Sequence, residues 1–194
     1  RTGDAAAALQ GFNTYVPKLR ERRGAVDSSV LTAESNRGEA QLVLGEVEAA
    51  YATLRANADL ARQHYGEDDL RSAVFARAPA GVAYRLGRLD EAEAGLDYAQ
   101  RVLTAELGAG HPHSLTARGD FAVLLRERGR LEDAEAAQRA MLAEATAALG
   151  EAHPMVALAT GNLAHILESA GRLEEAIEIG ERALALKIAA HGHD

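Results

Sequence analysis

Residues 129–135 read Gly129-Arg130-Leu131-Glu132-Asp133-Ala134-Glu135, and 42 residues later the phrase returns as Gly171-Arg172-Leu173-Glu174-Glu175-Ala176. It also stands 42 residues earlier, as Gly87-Arg88-Leu89-Asp90-Glu91-Ala92-Glu93. Extended outward, this spacing aligns Gly3, Gly45, Gly87, Gly129 and Gly171 in one column and Gly24, Gly66, Gly108, Gly150 and Gly192 in a second. Ala8, Ala50, Ala92, Ala134 and Ala176 form a third column. Ten of the 18 glycines therefore sit in two registers of one period, which is how a repeat architecture declares itself in a sequence.

Each period reads as a helical hairpin. Helix A runs from about Pro112 to Arg128, with Phe121, Ala122, Leu124 and Leu125 on helical spacing. Gly129 stops it by permitting a left-handed residue that a β-carbon would disfavour. Helix B starts near Leu131, where Glu132 and Asp133 suit the positive end of the helix dipole, and runs to Leu149. Gly150 closes it, and Pro112 and Pro154 open the following A helices, where a missing N–H costs nothing. Asp27 and Asp69 stand at the corresponding helix starts of the first two repeats, each able to cap. Four whole repeats follow, at 23–64, 65–106, 107–148 and 149–190; residues 1–22 are the second helix of an earlier repeat and 191–194 begin another. About nine helices in an open, all-α stack are expected. Pro79 and Pro17 fall inside helices, so a kink is expected at Pro79; the two prolines read either as tolerated drift or, at Pro79, as opening a carbonyl towards the groove.

Composition narrows the function. The 194 residues include no Cys and no Trp, so there is no disulfide framework, thiolate metal site or thiol nucleophile. Ala makes up about a fifth of the chain and aromatics only 4%, which suits closely approaching helices. Net charge −8 argues against nucleic acid and anionic membrane as partners. No apolar run is long enough to span a bilayer, and no signal peptide opens the chain. A soluble cytoplasmic protein is the expectation, and the missing initiator Met suggests an excised fragment. Nineteen of the 21 basic residues are Arg, which suits a GC-rich bacterial genome.

Leu149-Gly150, His153-Pro154, Asn162-Leu163-Ala164 and Gly171-Arg172-Leu173-Glu174-Glu175-Ala176 together resemble the tetratricopeptide repeats, in the 42-residue variant of kinesin light chains and many bacterial regulatory proteins. The resemblance covers essentially the whole chain, most clearly residues 81–190. It implies a right-handed α-solenoid of antiparallel helix pairs whose A helices line a concave groove for a protein or peptide. Against the standard 34-residue unit, eight extra residues lengthen helix B, and the usual closing Pro is replaced by Arg62, Thr104, Thr146 and Ile188.

What the resemblance implies about the groove can be placed residue by residue. One column is Asn36, Ala78, Asp120 and Asn162, where an Asn amide can both donate to and accept from a ligand backbone. Neighbouring columns supply Arg77, Tyr84, Arg85, Arg126 and His165, and Gly119 with Gly161 leaves room for a partner. Arg77, Arg85 and Arg126 suggest forked guanidinium contacts to an acidic side chain or carboxylate, or else solvated charges paired with nearby acids. No phosphate loop, HExxH, nucleophile elbow or EF-hand loop occurs. The only metal-like clusters are His111-Pro112-His113 and His191-Gly192-His193-Asp194, and neither recommends a metal or cofactor. The expected function is a non-enzymatic interaction module of a larger bacterial regulatory or signalling protein. A ligand-sensing or autoinhibitory arm and a helper domain of an enzyme are the alternatives. The partly apolar last helix, Ala183 to Ala190, implies either that more repeats follow it in the full protein or that the solenoid ends self-associate.

Overall fold

The computed structural model describes residues 2–191, and its regular elements over them are all α-helices. In chain order these are α1 (Thr2–Arg23), α2 (Ser28–Val43), α3 (Val47–Tyr65), α4 (Leu70–Arg85), α5 (Leu89–Leu107), α6 (Pro112–Glu127), α7 (Leu131–Leu149), α8 (Pro154–Ser169) and α9 (Leu173–His191). The A helices α2, α4, α6 and α8 have 16 residues each, and the B helices α3, α5, α7 and α9 have 19. The chain forms two compact units, residues 1–102 and 103–194. In the first, α1 packs on α2, α2 on α3, and α3 on α4; in the second, α6 packs on α7, α7 on α8, and α8 on α9, with α6 also meeting α8.

Local chemistry sets every boundary. At the A-to-B turns, Gly129 (φ 73°) and Gly171 (φ 74°) take the left-handed conformation. The next amide then folds back onto the helix, Arg130 N to Leu125 O at 2.9 Å and Arg172 N to Leu167 O at 3.0 Å. The B-to-A glycines differ. Gly66 (φ 96°, ψ 168°) and Gly150 (φ 83°, ψ 156°) are extended with positive φ, a region open to essentially no other residue. One member of the columns breaks the pattern, Gly3, which lies inside α1; Gly192 lies outside the described residues.

The four A helices are capped from one repeat position. Asp27 Oδ1 accepts from Ser29 N at 2.9 Å and Asp69 Oδ1 from Arg71 N at 2.8 Å. In the same register, His111 Nδ1 accepts from His113 N at 3.2 Å and His153 Nδ1 from Met155 N at 3.1 Å. The His of each His-Pro pair is therefore a helix cap, and the following Pro occupies the first turn. Hydrogen bonds from the Arg71 side chain and backbone N–H hold the Asp69 carboxyl at about 2, below the usual carboxylate value.

Small residues set the helix spacing. A β-carbon on Gly95 of α5 would lie 2.7 Å from the β-carbon of Ala80 on α4, so the missing methyl is what lets these helices meet. Gly38 of α2 is similarly covered by Leu54 of α3. In the second unit, Leu115, Met141, Ala145, Val156 and Ala159 make one core cluster, and Leu125, Ala134 and Ile166 another. Gly119 belongs to this packing and not to a groove: it is buried, and a β-carbon there would meet Met141 Cε of α7 at 3.0 Å. Helices α1 and α4 run unbroken through Pro17 and Pro79. Pro79 is buried and lines a cleft with residues of α3 and α5, so its ring is turned to the B helices and not to a groove.

Two glycine substitutions should separate the two roles. Gly129→Ala has open space around the new methyl and should cost about 1 kcal/mol through backbone strain alone. Gly95→Ala gains helix propensity of about 1 kcal/mol but must force neighbouring helix backbones away from each other, and should lose about 1–3 kcal/mol net. Urea unfolding of both variants checks the difference. The Asp69 cap should stabilise fully above the unfolded carboxylate value near 3.9 and fade as pH falls through about 2. Asp69→Ala should therefore lower the melting temperature at neutral pH, with the gap to the parent closing near pH 2.

Candidate functional site

The outward residues of the A helices are left over once the packing residues are removed. On α2 the buried face carries Val30, Leu31, Ala33 and Ala40, and Asn36 is exposed. On α4, Ala73, Ala76, Ala80 and Ala83 are buried, Arg77 and Tyr84 are half-buried with partners of their own, and Arg85 is exposed at the helix end. In the second unit, Asp120 of α6 is half-buried and also engaged. Arg126 Nε donates to Glu127 Oε1 at 3.1 Å, so this guanidinium is neutralised by its neighbour. On α8, His165 is exposed with Nδ1 3.5 Å from Glu168 Oε2, and Asn162 is half-buried.

Of the eight residues singled out in the sequence, a cleft collects two. Asn162 and His165 line a slot of about 270 Å³ between α8 and α9, with Leu158, Ala183, Leu184 and Lys187. Leu158 is 66% exposed and Leu184 59%, so the slot has a polar edge and an apolar floor open to solvent. Its origin is legible by register. Ala183 stands where the preceding repeat has Met141, which fills the space over Gly119; over Gly161 the nearest side-chain atom is Ala183 Cβ, 3.9 Å from a β-carbon built there.

Two further clefts, each joining three helices, lie in the first unit, and neither was foreseen. One, of about 650 Å³, runs among α1, α2 and α3. In it Glu34, 5% exposed, sits between Arg20 (Nη2 to Oε1, 2.6 Å) and Arg37 (Nη2 to Oε2, 2.8 Å). Beside it the buried Asn57 donates to Leu31 O at 2.8 Å and Ser35 Oγ at 3.0 Å. The one sequence signal was Asn57 itself, a polar residue in the column otherwise occupied by Tyr15, Ala99, Met141 and Ala183. The other cleft, of about 550 Å³ among α3, α4 and α5, has Pro79 and Ala83 in its wall, where the next repeat carries Phe121 and Leu125. Its rim is interlocked by stacked pairs, Arg62 over the Tyr98 ring at 4.4 Å and Arg88 over Tyr51 at 4.7 Å.

Metal and membrane chemistry find no footing among the described residues. No group of three or more metal-ligating side chains occurs there, and His111 is occupied as a helix cap. The cluster from His191 to Asp194 lies outside the side chains described. No described helix is long and apolar enough to cross a membrane.

Comparison with known proteins agrees with this architecture. Residues 122–189 match the tetratricopeptide repeat family model. No curated protein matches the chain in sequence. Two solved structures of the nearly identical TPR-like repeats of a Podosopora anserina protein, described as a kinesin light chain, superpose with TM-scores of 0.85 and 0.81. Each is 18% identical, covering 97% and 96% of this chain and 89% and 88% of the other. BtubC (BKLC) from P. vanneervenii gives a TM-score of 0.85 at 16% identity, over 99% of this chain and 76% of that one. At these identities the likeness is one of fold, and the fold is the tetratricopeptide helical-repeat solenoid.

Proposed function

We infer that this chain, which carries tetratricopeptide repeats, is a non-catalytic module that binds a protein or peptide segment on the outward faces of its A helices. Repeats of this family generally serve as protein-binding scaffolds, and the repeats here are read as 23–64, 65–106, 107–148 and 149–190. The observation that carries the reading is the slot between α8 and α9. Asn162 offers an amide that both donates and accepts, beside exposed apolar surface from Leu158 and Leu184. That pairing suits an extended segment: the amide holds its backbone while one apolar side chain enters the slot. The pairing of Arg126 with Glu127 removes that guanidinium as a ready grip for an acidic group. Asn36 and Arg85 remain the exposed candidates in the first unit. The resemblance to the 42-residue repeats of bacterial regulatory proteins supports a place within a larger regulatory or signalling protein, and the arginine-rich composition suits a bacterial genome.

Selection of peptides from a random display library, followed by fluorescence-polarisation titration, tests this. For selected peptides, Asn162→Ala combined with His165→Ala should weaken binding at least about tenfold, the scale of two lost hydrogen bonds in a partly desolvated site. Glu144→Ala, on the exposed side of α7, should leave it unchanged. Peptides that bind the double variant as well as the parent would sink the reading.

A further inference from the structure

The cleft among α1, α2 and α3 has a polar floor where the later repeats are apolar. Arg37 and Gln41 of α2 stand in the registers of Phe121 and Leu125 of α6, and of Leu163 and Leu167 of α8. With Glu34 they form one stripe along α2, on the side away from its exposed residues Thr32, Asn36 and Glu39. The cleft thus opens beside the B helices α1 and α3, apart from the outward faces of the A helices. An open cleft in this place is a property of the repeat. The 550 Å³ cleft lies in the same register one repeat on, with Arg62 for Arg20, Ala76 for Glu34 and Pro79 for Arg37, and it is open although α2 precedes it.

Four buried polar atoms in and beside the floor have no hydrogen-bond partner: Glu34 Oε2, Asn57 Oδ1, Arg37 Nε and Gln41 Oε1. Asn57 and Glu34 are 3% and 5% exposed, and both line the cleft. Turning the Asn57 amide over would not help, because its Nδ2 donates to Leu31 O, which can only accept. That bond, with the one to Ser35 Oγ, holds Asn57 over the turn of α2 that carries Glu34. Arg20 donates to Glu34 Oε1 at 2.6 Å. Arg37 Nη2 lies 2.8 Å from Oε2 but is not aligned to donate to it. Charge alone keeps Arg37 over the carboxylate, so this side chain is the part that an incoming molecule can turn aside.

The unmet groups define the ligand. A carboxylate oxygen and an amide oxygen call for a charged group with several N–H donors. A guanidinium N–H calls for an acceptor, and a carboxylate is the strongest. The charges lining the cleft cancel, Arg20 and Arg37 against Glu21 and Glu34. A simple cation or anion would upset that balance, whereas a molecule carrying both charges keeps it. Val16, Pro17, Ala56 and Leu60 add apolar wall beside the polar floor.

We propose that this cleft binds a free aliphatic α-amino acid. Its ammonium donates to Glu34 Oε2 and Asn57 Oδ1, its carboxylate accepts from Arg37 Nε, and its side chain lies against the apolar wall. Binding supplies hydrogen bonds that the fold leaves unmade, which is where a ligand gains most over water. The site is independent of peptide binding at Asn162 and His165.

L-Leucine, L-isoleucine, L-valine and L-methionine, each at about 1–5 mM, test this by thermal unfolding and calorimetric titration. At least one should raise the melting temperature and titrate to one site per chain. The amide and the N-acetyl derivative of the tightest binder, each missing one of the two charges, should bind at least about tenfold more weakly. Glu34→Gln and Arg37→Leu should weaken binding by a similar factor. Arg37→Leu copies Leu163 of the last repeat, so its helical circular dichroism should match the parent. Thr32→Ala, on the other side of α2, should bind as the parent does. No binding by any of the four amino acids, equal binding of the blocked derivatives, or parental affinity in both Glu34→Gln and Arg37→Leu would overturn the proposal.

Discussion

Everything in this chain hangs on one local constraint, the glycine turn that ends each A helix. With φ near 73° at Gly129 and Gly171, the chain reverses in a single residue and the following amide bonds back to the helix it has just left. The reversal fixes where helix B begins, and so which of its residues face helix A. The alanine column then follows: Ala50, Ala92 and Ala134 are fully buried because the turn delivers them to the helix–helix contact every time. A β-carbon at the turn would strain a backbone that nothing crowds, since the space around Gly129 is empty. The glycines are there for torsion angles, and the alanines for contact.

Helix limits were the aspect of this structure most open to reading from the sequence, because each is written within about six residues. Pro112 and Pro154 open helices and Gly129 and Gly171 close them, and Asp27 and Asp69 cap as their side chains require. What escaped was what side chains of different helices assemble together. Glu34 meets Arg20 from the preceding helix as well as Arg37 from its own, and no periodicity of either helix marks that meeting. Of the two readings open for the arginines, a grip on an acidic ligand or pairing with nearby acids, Arg126 takes the second. Arg126 and Glu127 are adjacent in sequence, and only their side-chain geometry shows that they satisfy each other. Gly119 was assigned to a groove from its column, whereas packing turned it towards a B helix, and Pro79 lines a cleft with residues of α3 and α5.

The repeats diverge where their neighbours permit it. Replacing the bulk of Phe121 and Leu125 by Pro79 and Ala83 leaves α4 thin on one side, and Gly95 answers by letting α5 close on Ala80. The surrounding cleft is what this compensation leaves unfilled, and the arginine–tyrosine stacks rim it. Scaffold positions thus stay fixed by torsion and contact, while side chains one helical step away are free to become clefts or interfaces.

The capping column holds a less visible asymmetry. Asp27 and Asp69 present full negative charges to the N-terminal ends of α2 and α4, where they answer the helix dipole as well as the orphan amides. At α6 and α8, His111 and His153 supply the hydrogen bond through an accepting imidazole nitrogen, which brings no negative charge. Dissolved ions weaken the first kind of cap and leave the second nearly untouched. The helix starts of the two units therefore answer differently to ionic strength, although both are built from one repeated sentence of sequence.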